Sequence, residues 1–127
     1  MDVKVISGTD RPNSNALKVS NYVGELYKQK GVAVEIISLE DFPYEHIIGG
    51  RYGKKIAAVE DFNAPIVNAD GLIFVIPEYN GSFPGVLKVF IDYLPFPEAF
   101  EKMPMAFIGE ASGAFGGCVP VRELRDR

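Results

Sequence analysis

Residues 71–76 (GLIFVI) form an unbroken apolar run rich in β-branched and aromatic side chains, fenced by Asp70 before it and Pro77 after it. Such a run reads as a strand buried on both faces. Downstream, Val86, Leu87, Phe90, Ile91 and Leu94 recur at helical spacing, while Lys88 and Asp92 stand four apart on the other side. This predicts an amphipathic helix, joined to the strand by a short polar turn. Residues 3–7 (VKVIS) predict a first strand and 8–14 (GTDRPNS) a loop of turn formers. A helix is expected over 15–29, with Ala16, Val19, Val23, Leu26 and Tyr27 on its inner face and Gly31 just past its end. Residues 32–38 (VAVEIIS) predict a second strand. Periodicity fails over 39–55, where Pro43, Gly49, Gly50 and Gly53 interrupt it, so that segment is expected to be a loop. A second helix is expected near 56–69, bent or divided at Pro65, because proline removes a helix hydrogen bond. After the helix that follows the apolar strand come a linker at Pro95, Phe96 and Pro97, a fourth strand over 105–109 (MAFIG), a glycine-rich turn (EASGAFGG) and a short helix from about Val119.

Strands alternating with helices through short connections imply a parallel sheet with helices on both faces, because parallel neighbours need crossovers and these are right-handed. The expected architecture is a single α/β domain over residues 1–127, a doubly wound sheet ordered 2-1-3-4. Composition agrees: 127 residues, 47% hydrophobic and 24% charged, suit one soluble domain with a real core, with no apolar run long enough for a bilayer. The first residues, MDVKVISG, enter a strand at once, so no signal peptide is expected. The single cysteine, Cys118, forbids an intrachain disulfide, and a reducing cytoplasm is the expected location. A net charge of −4 with scattered basic residues speaks against nucleic acid.

In a sheet of this order the connections after strands 1 and 3 leave toward opposite faces, and ligands bind in the crevice between them. The first connection offers Ser14 as helix cap, the amides of Asn15, Ala16 and Leu17, the hydroxyls of Ser7 and Thr9, and the cation Arg11. Amides at a helix N-terminus carry partial positive charge, so a phosphate monoester suits them. The spacing matches neither GxxxxGK[ST] nor GxGxxG, which argues against a nucleoside-triphosphate cradle. The second connection, residues 77–82, offers backbone amides, the Tyr79 ring and the Asn80 side chain, which suit a flat heteroaromatic with polar edges. Taken singly, Ser14-Asn15 reads as an ordinary cap, Arg11 as a solvated charge and Asn80-Gly81 as a surface turn. Taken together, the two loops read as a ligand site.

The segments GTDRPNSN (8–15), PEYNGSFPGVLKVFIDYL (77–94) and ASGAFGG (111–117) resemble the three signature segments of the NADPH-dependent FMN reductases. The resemblance runs in register from Val3 to about Gly117. It implies a flavodoxin-like fold and an oxidoreductase passing hydride equivalents from NADPH, or NADH, through FMN to quinone-like or other small oxidants, with ping-pong turnover. Thr9, Arg11, Ser14, Asn15 and Ala16 would then hold the FMN phosphate. Pro77, Glu78, Tyr79, Asn80 and Gly81 would line the isoalloxazine ring and ribityl chain, and Ser112 and Gly113 would close the far edge of the ring. Amides after Pro77 and near Ser112 would stabilise negative charge on the reduced ring. The flavin carries the chemistry, so neither a catalytic side chain nor a metal is expected. His46, in the loop, is read as solvated or packed, and Cys118 as a buried or inert thiol. Arg51, Lys54 and Lys55 read as a solvated basic loop, with recognition of the NADPH 2′-phosphate as the rival reading.

The resemblance further implies a homodimer or homotetramer and a small-molecule electron acceptor, with no nucleic acid or membrane partner. It also implies a fifth strand and a last helix beyond the fourth strand and its helix. The sequence in hand ends at Arg127 without them, which is read as C-terminal truncation. Two functional alternatives remain: a flavodoxin-type one-electron carrier, and a truncated non-catalytic flavodoxin-like domain acting as an interaction module. A response-receiver domain shares the strand order, but beyond Asp10 and Glu78 it lacks the acidic residues it would need at the ends of strands 1 and 3.

Overall fold

The computed structural model describes residues 1–126. Four strands, β1 (Asp2–Ser7), β2 (Ala33–Ser38), β3 (Gly71–Pro77) and β4 (Met105–Glu110), form one parallel sheet in the order β2-β1-β3-β4. The helices are α1 (Asn15–Lys28), α2 (Ala57–Val67), α3 (Gly85–Asp92) and α4 (Cys118–Arg125). Every residue of β3 is buried, as its apolar run predicts for a strand covered on both faces. Side chains alternate across it. Ile73 and Val75 join Val3 and Val5 beneath Ala16 and Val23 of α1, while Leu72, Phe74 and Ile76 face Val59 and Ile66 of α2, Leu87 and Phe90 of α3, and Leu124 of α4. The connections after β1 and β3 therefore leave toward opposite faces, and their loops meet at the carboxyl ends of the strands.

Three expectations need correction. Leu26 is 39% exposed; the buried face of α1 instead includes Ser20 and Gly24. The helix lies so close on the sheet that a Cβ on Gly24 would stand 2.8 Å from Ile36 Cδ1, so small residues occupy the contact and Leu26 flanks it. The segment after β2 is not only a loop. It contains two single 3-10 turns, Leu39–Asp41 and Tyr44–His46, because Phe42 is buried in an aromatic cluster, with ring centroids 4.9 Å from Tyr44, 5.2 Å from Phe62 and 5.8 Å from Phe90. Finally, of the two outcomes expected at Pro65, bending or division, division is excluded, since α2 runs unbroken through it. Proline at that position leaves the carbonyl of Asp61 without its helical donor, and Asp61 is exposed, so water can serve it.

One buried charge lies within the sheet. Lys4 is 6% exposed, and its Nζ donates to Glu35 Oε2 at 2.7 Å and to Asp2 Oδ2 at 3.0 Å. Burial alone would lower its pKa; the hydrogen bonds and charges of the two carboxylates outweigh that and hold it above the ordinary lysine value.

Candidate functional site

Parallel register sets the end of β1 beside β3, with Ser7 opposite Val75. The chain leaves β1 through Gly8, whose N–H donates to the Val75 carbonyl at 2.9 Å. A Cβ at Gly8 would lie 2.7 Å from that same oxygen, so the close approach requires glycine. Beyond it, Thr9 is 1% exposed, and its Oγ1 accepts from the Arg11 N–H at 3.3 Å. Asn13 takes a left-handed conformation (φ 53°), which turns the chain into α1. Ser14 caps that helix by accepting from the Leu17 N–H at 3.0 Å, and the first turn carries no acidic residue.

The second loop follows β3. Tyr79 and Ser82 exchange backbone hydrogen bonds of 2.8 and 3.1 Å around Asn80 (φ 52°) and Gly81 (φ 76°), a tight turn that needs two residues tolerant of positive φ. The Ser82 hydroxyl donates to the Glu123 carboxylate, tying the turn to α4. The two loops are joined directly: the Thr9 and Tyr79 hydroxyls are 2.7 Å apart, across 70 positions of sequence.

Between the loops lies a cleft of 270 Å³ lined by Arg11, Ser14, Asn15, Pro77, Tyr79 and Glu110, among others. Its volume is just under the roughly 300 Å³ at which small-molecule sites begin, enough for one end of an extended ligand. Of the residues expected at the site, Arg11, Ser14, Asn15, Pro77 and Tyr79 line this cleft, Thr9 reaches it through Tyr79, and Ala16 is buried directly behind Asn15. Glu78, Asn80, Gly81, Ser112 and Gly113 do not line it, and all of these except Glu78 are exposed. The amides expected after Pro77 are partly committed: the Glu78 N–H donates to the Glu110 carbonyl at 2.9 Å and the Tyr79 N–H to Ser82. A larger cavity of 620 Å³, between α2 and the segment after α3, shares no residue with the cleft.

Sequence reasoning passed over Glu110. It closes β4 in register with Pro77, which brings its side chain into the cleft from a strand never considered as a wall. The signal was a charged residue ending an apolar strand at the crevice side of the sheet. Burial raises the Glu110 carboxyl above the ordinary carboxylate range, and a backbone hydrogen bond from Ala16 opposes that shift.

The cleft suits a phosphorylated ligand. Arg11, on the wall of the cleft, makes no ion pair among the described residues. Cys118, expected to be buried or inert, is exposed at the start of α4. His46 is likewise on the surface, 3.4 Å from Glu45. Among the described residues, no helix is long and apolar enough to cross a membrane, and no group of three or more His, Cys, Asp or Glu could hold a metal ion.

A doubly wound parallel sheet with a polar cleft where the strand order reverses defines a flavodoxin-like domain with a nucleotide-type crevice. The chain belongs to the NADPH-dependent FMN reductase family, whose pattern it matches over residues 1–127. It is 35% identical to a 2-hydroxy-1,4-benzoquinone reductase from a Burkholderia species, over 87% of this chain and 69% of that protein. It is 30% identical to an NADPH azoreductase from Bacillus sp. (strain OY1-2), over 92% of this chain and 62% of that one. In fold it superimposes on FerB, a flavoenzyme NAD(P)H:(acceptor) oxidoreductase from Paracoccus denitrificans, with a TM-score of 0.80 at 24% identity, covering 98% of this chain and 69% of that structure. The chain spans 62% to 69% of the length of such curated relatives.

Proposed function

We propose that this chain binds FMN across the two loops and serves as an NAD(P)H-dependent FMN oxidoreductase for quinone-like, azo or other small oxidants. The observation that carries the reading is the cleft itself, where Arg11, Ser14 and Asn15 meet Pro77 and Tyr79, locked together by the Thr9–Tyr79 contact. In this reading Thr9, Arg11, Ser14, Asn15 and Ala16 hold the phosphate. Arg11 supplies the positive charge, Ser14 fixes the helix end, and the amides of Asn15 and Ala16 point at the anion. Pro77, Glu78, Tyr79, Asn80 and Gly81 line the ribityl chain and ring, and Ser112 and Gly113 close its far edge. The chemistry supplied by FMN when bound is acceptance of hydride from NADPH and delivery of two electrons to the oxidant. The chain's own share is to orient the ring and keep water from one side of it.

Names of the relatives support the choice of acceptor class: one is a hydroxybenzoquinone reductase and another an azoreductase. A cytoplasmic location and assembly into a homodimer or homotetramer belong to the same reading. The test is anaerobic mixing of the FMN-loaded protein with NADPH, followed by a quinone. The expected result is bleaching of the flavin absorbance by NADPH alone and its return with the quinone, with parallel double-reciprocal lines in steady state. A flavin that stays oxidised with NADPH contradicts the reductase reading and favours a one-electron carrier.

A further inference from the structure

The cleft contains a negative charge at the point where a phosphate is expected. Glu110 lines the same cleft as Arg11 and as Ser14 and Asn15, which begin α1. Its backbone is held in place: the carbonyl accepts from Glu78 at 2.9 Å, and the residue pairs in register with Pro77. Among the described residues no cation within ion-pair distance neutralises it; Arg11 shares the cleft without pairing to it.

We propose that Glu110 is a built-in competitor for the ligand's phosphate. Its carboxylate shares the cleft with Arg11 and the start of α1 and must swing away, or tolerate a neighbouring anion, when a phosphate arrives. This inference rests on reading the cleft as the phosphate end of a flavin site. The chemistry is that of two anions in one cleft: like charges a few ångström apart near a protein surface repel strongly. Glu110 thus weakens the site toward anions. It lowers affinity for phosphorylated ligands while leaving a phosphate-free flavin little affected, so it narrows the advantage of FMN over riboflavin. Its partly desolvated environment, which raises the carboxyl above its ordinary range, adds to the strain of keeping the charge there when a second anion enters.

The test compares the wild-type chain with Glu110→Gln, which keeps shape and an acceptor oxygen but loses the charge, and with Glu110→Ala, which loses both. Inorganic phosphate is titrated while the Asn15 and Ala16 amide resonances are followed; FMN and riboflavin are titrated separately by flavin fluorescence. Both variants are expected to bind phosphate roughly tenfold more tightly, or better, with the FMN-to-riboflavin affinity ratio rising in parallel, the scale of one relieved like-charge contact. Unchanged phosphate affinity, or phosphate that binds neither protein, overturns the proposal. Tighter phosphate binding in variants that bind no flavin would sustain it and defeat the flavin reading instead.

Discussion

The hydroxyl pair of Thr9 and Tyr79, 2.7 Å apart, is the smallest unit on which the site depends, since it holds one loop against the other. Replacing Tyr79 with Phe keeps the ring and removes the bond, so FMN affinity should fall about fivefold to tenfold, the worth of one hydrogen bond, as read by fluorescence titration. Glu110 contributes a pH effect of its own. Its carboxyl is raised in the folded chain, so between the ordinary glutamate value and the raised one the folded state holds the proton that the unfolded state has lost. Stability from this group is present below that window and declines as pH rises through it. The urea midpoint of wild type minus that of Glu110→Gln, measured from about pH 4 to about pH 7, should decline as pH rises. At this scale the sequence was legible where residue type announces a local role, as with Ser14 capping a helix. Glu110 was not, because its place in the cleft comes from the register of β4 on β3, which no local pattern encodes.

At the scale of elements, α1 and the loop feeding it decide whether the anion end of the cleft is formed. Ser14→Ala removes the cap of α1 and should cost about 1 kcal/mol in urea denaturation. Gly8→Ala drives a Cβ against the Val75 carbonyl and should cost about 1–3 kcal/mol while also loosening FMN binding, because the loop must back away from β3. A Ser14→Ala loss larger than that of Gly8→Ala would reverse this ranking. The strands were readable because β3 is apolar throughout and β1 and β2 are short and β-branched. The misreadings have local causes. Leu26 has the right period but falls on the flank of a helix whose contact face is reserved for Ser20 and Gly24. The 3-10 turns at Leu39–Asp41 and Tyr44–His46 exist for the sake of Phe42, whose partners Phe62 and Phe90 lie far along the chain. Pro65 is tolerated because the carbonyl it frees, at Asp61, is on the wet side of α2.

Over the whole molecule, the strand order places the two loops at one crevice, as the alternation of elements together with the expected order 2-1-3-4 implied. The flavin assignment did not; it came from the resemblance of three segments, and membership of the NADPH-dependent FMN reductase family now supports it. The sheet organises the molecule into unequal faces, with α1 alone on one side and α2, α3 and α4 on the other, and β4 at its edge among the described residues. The crevice is framed by β1 and β3, the two inner strands, which hydrogen-bond to each other and are flanked by β2 and β4. That placement predicts a preformed site in the 127-residue chain. The most direct test is an equilibrium titration of the purified chain with FMN, followed by flavin fluorescence, beside the same titration with Arg11→Ala. The account predicts saturable binding of one FMN per chain, weakened about tenfold or more by loss of the Arg11 cation. Absence of a saturable change with the wild type, or equal affinity in the variant, would contradict it.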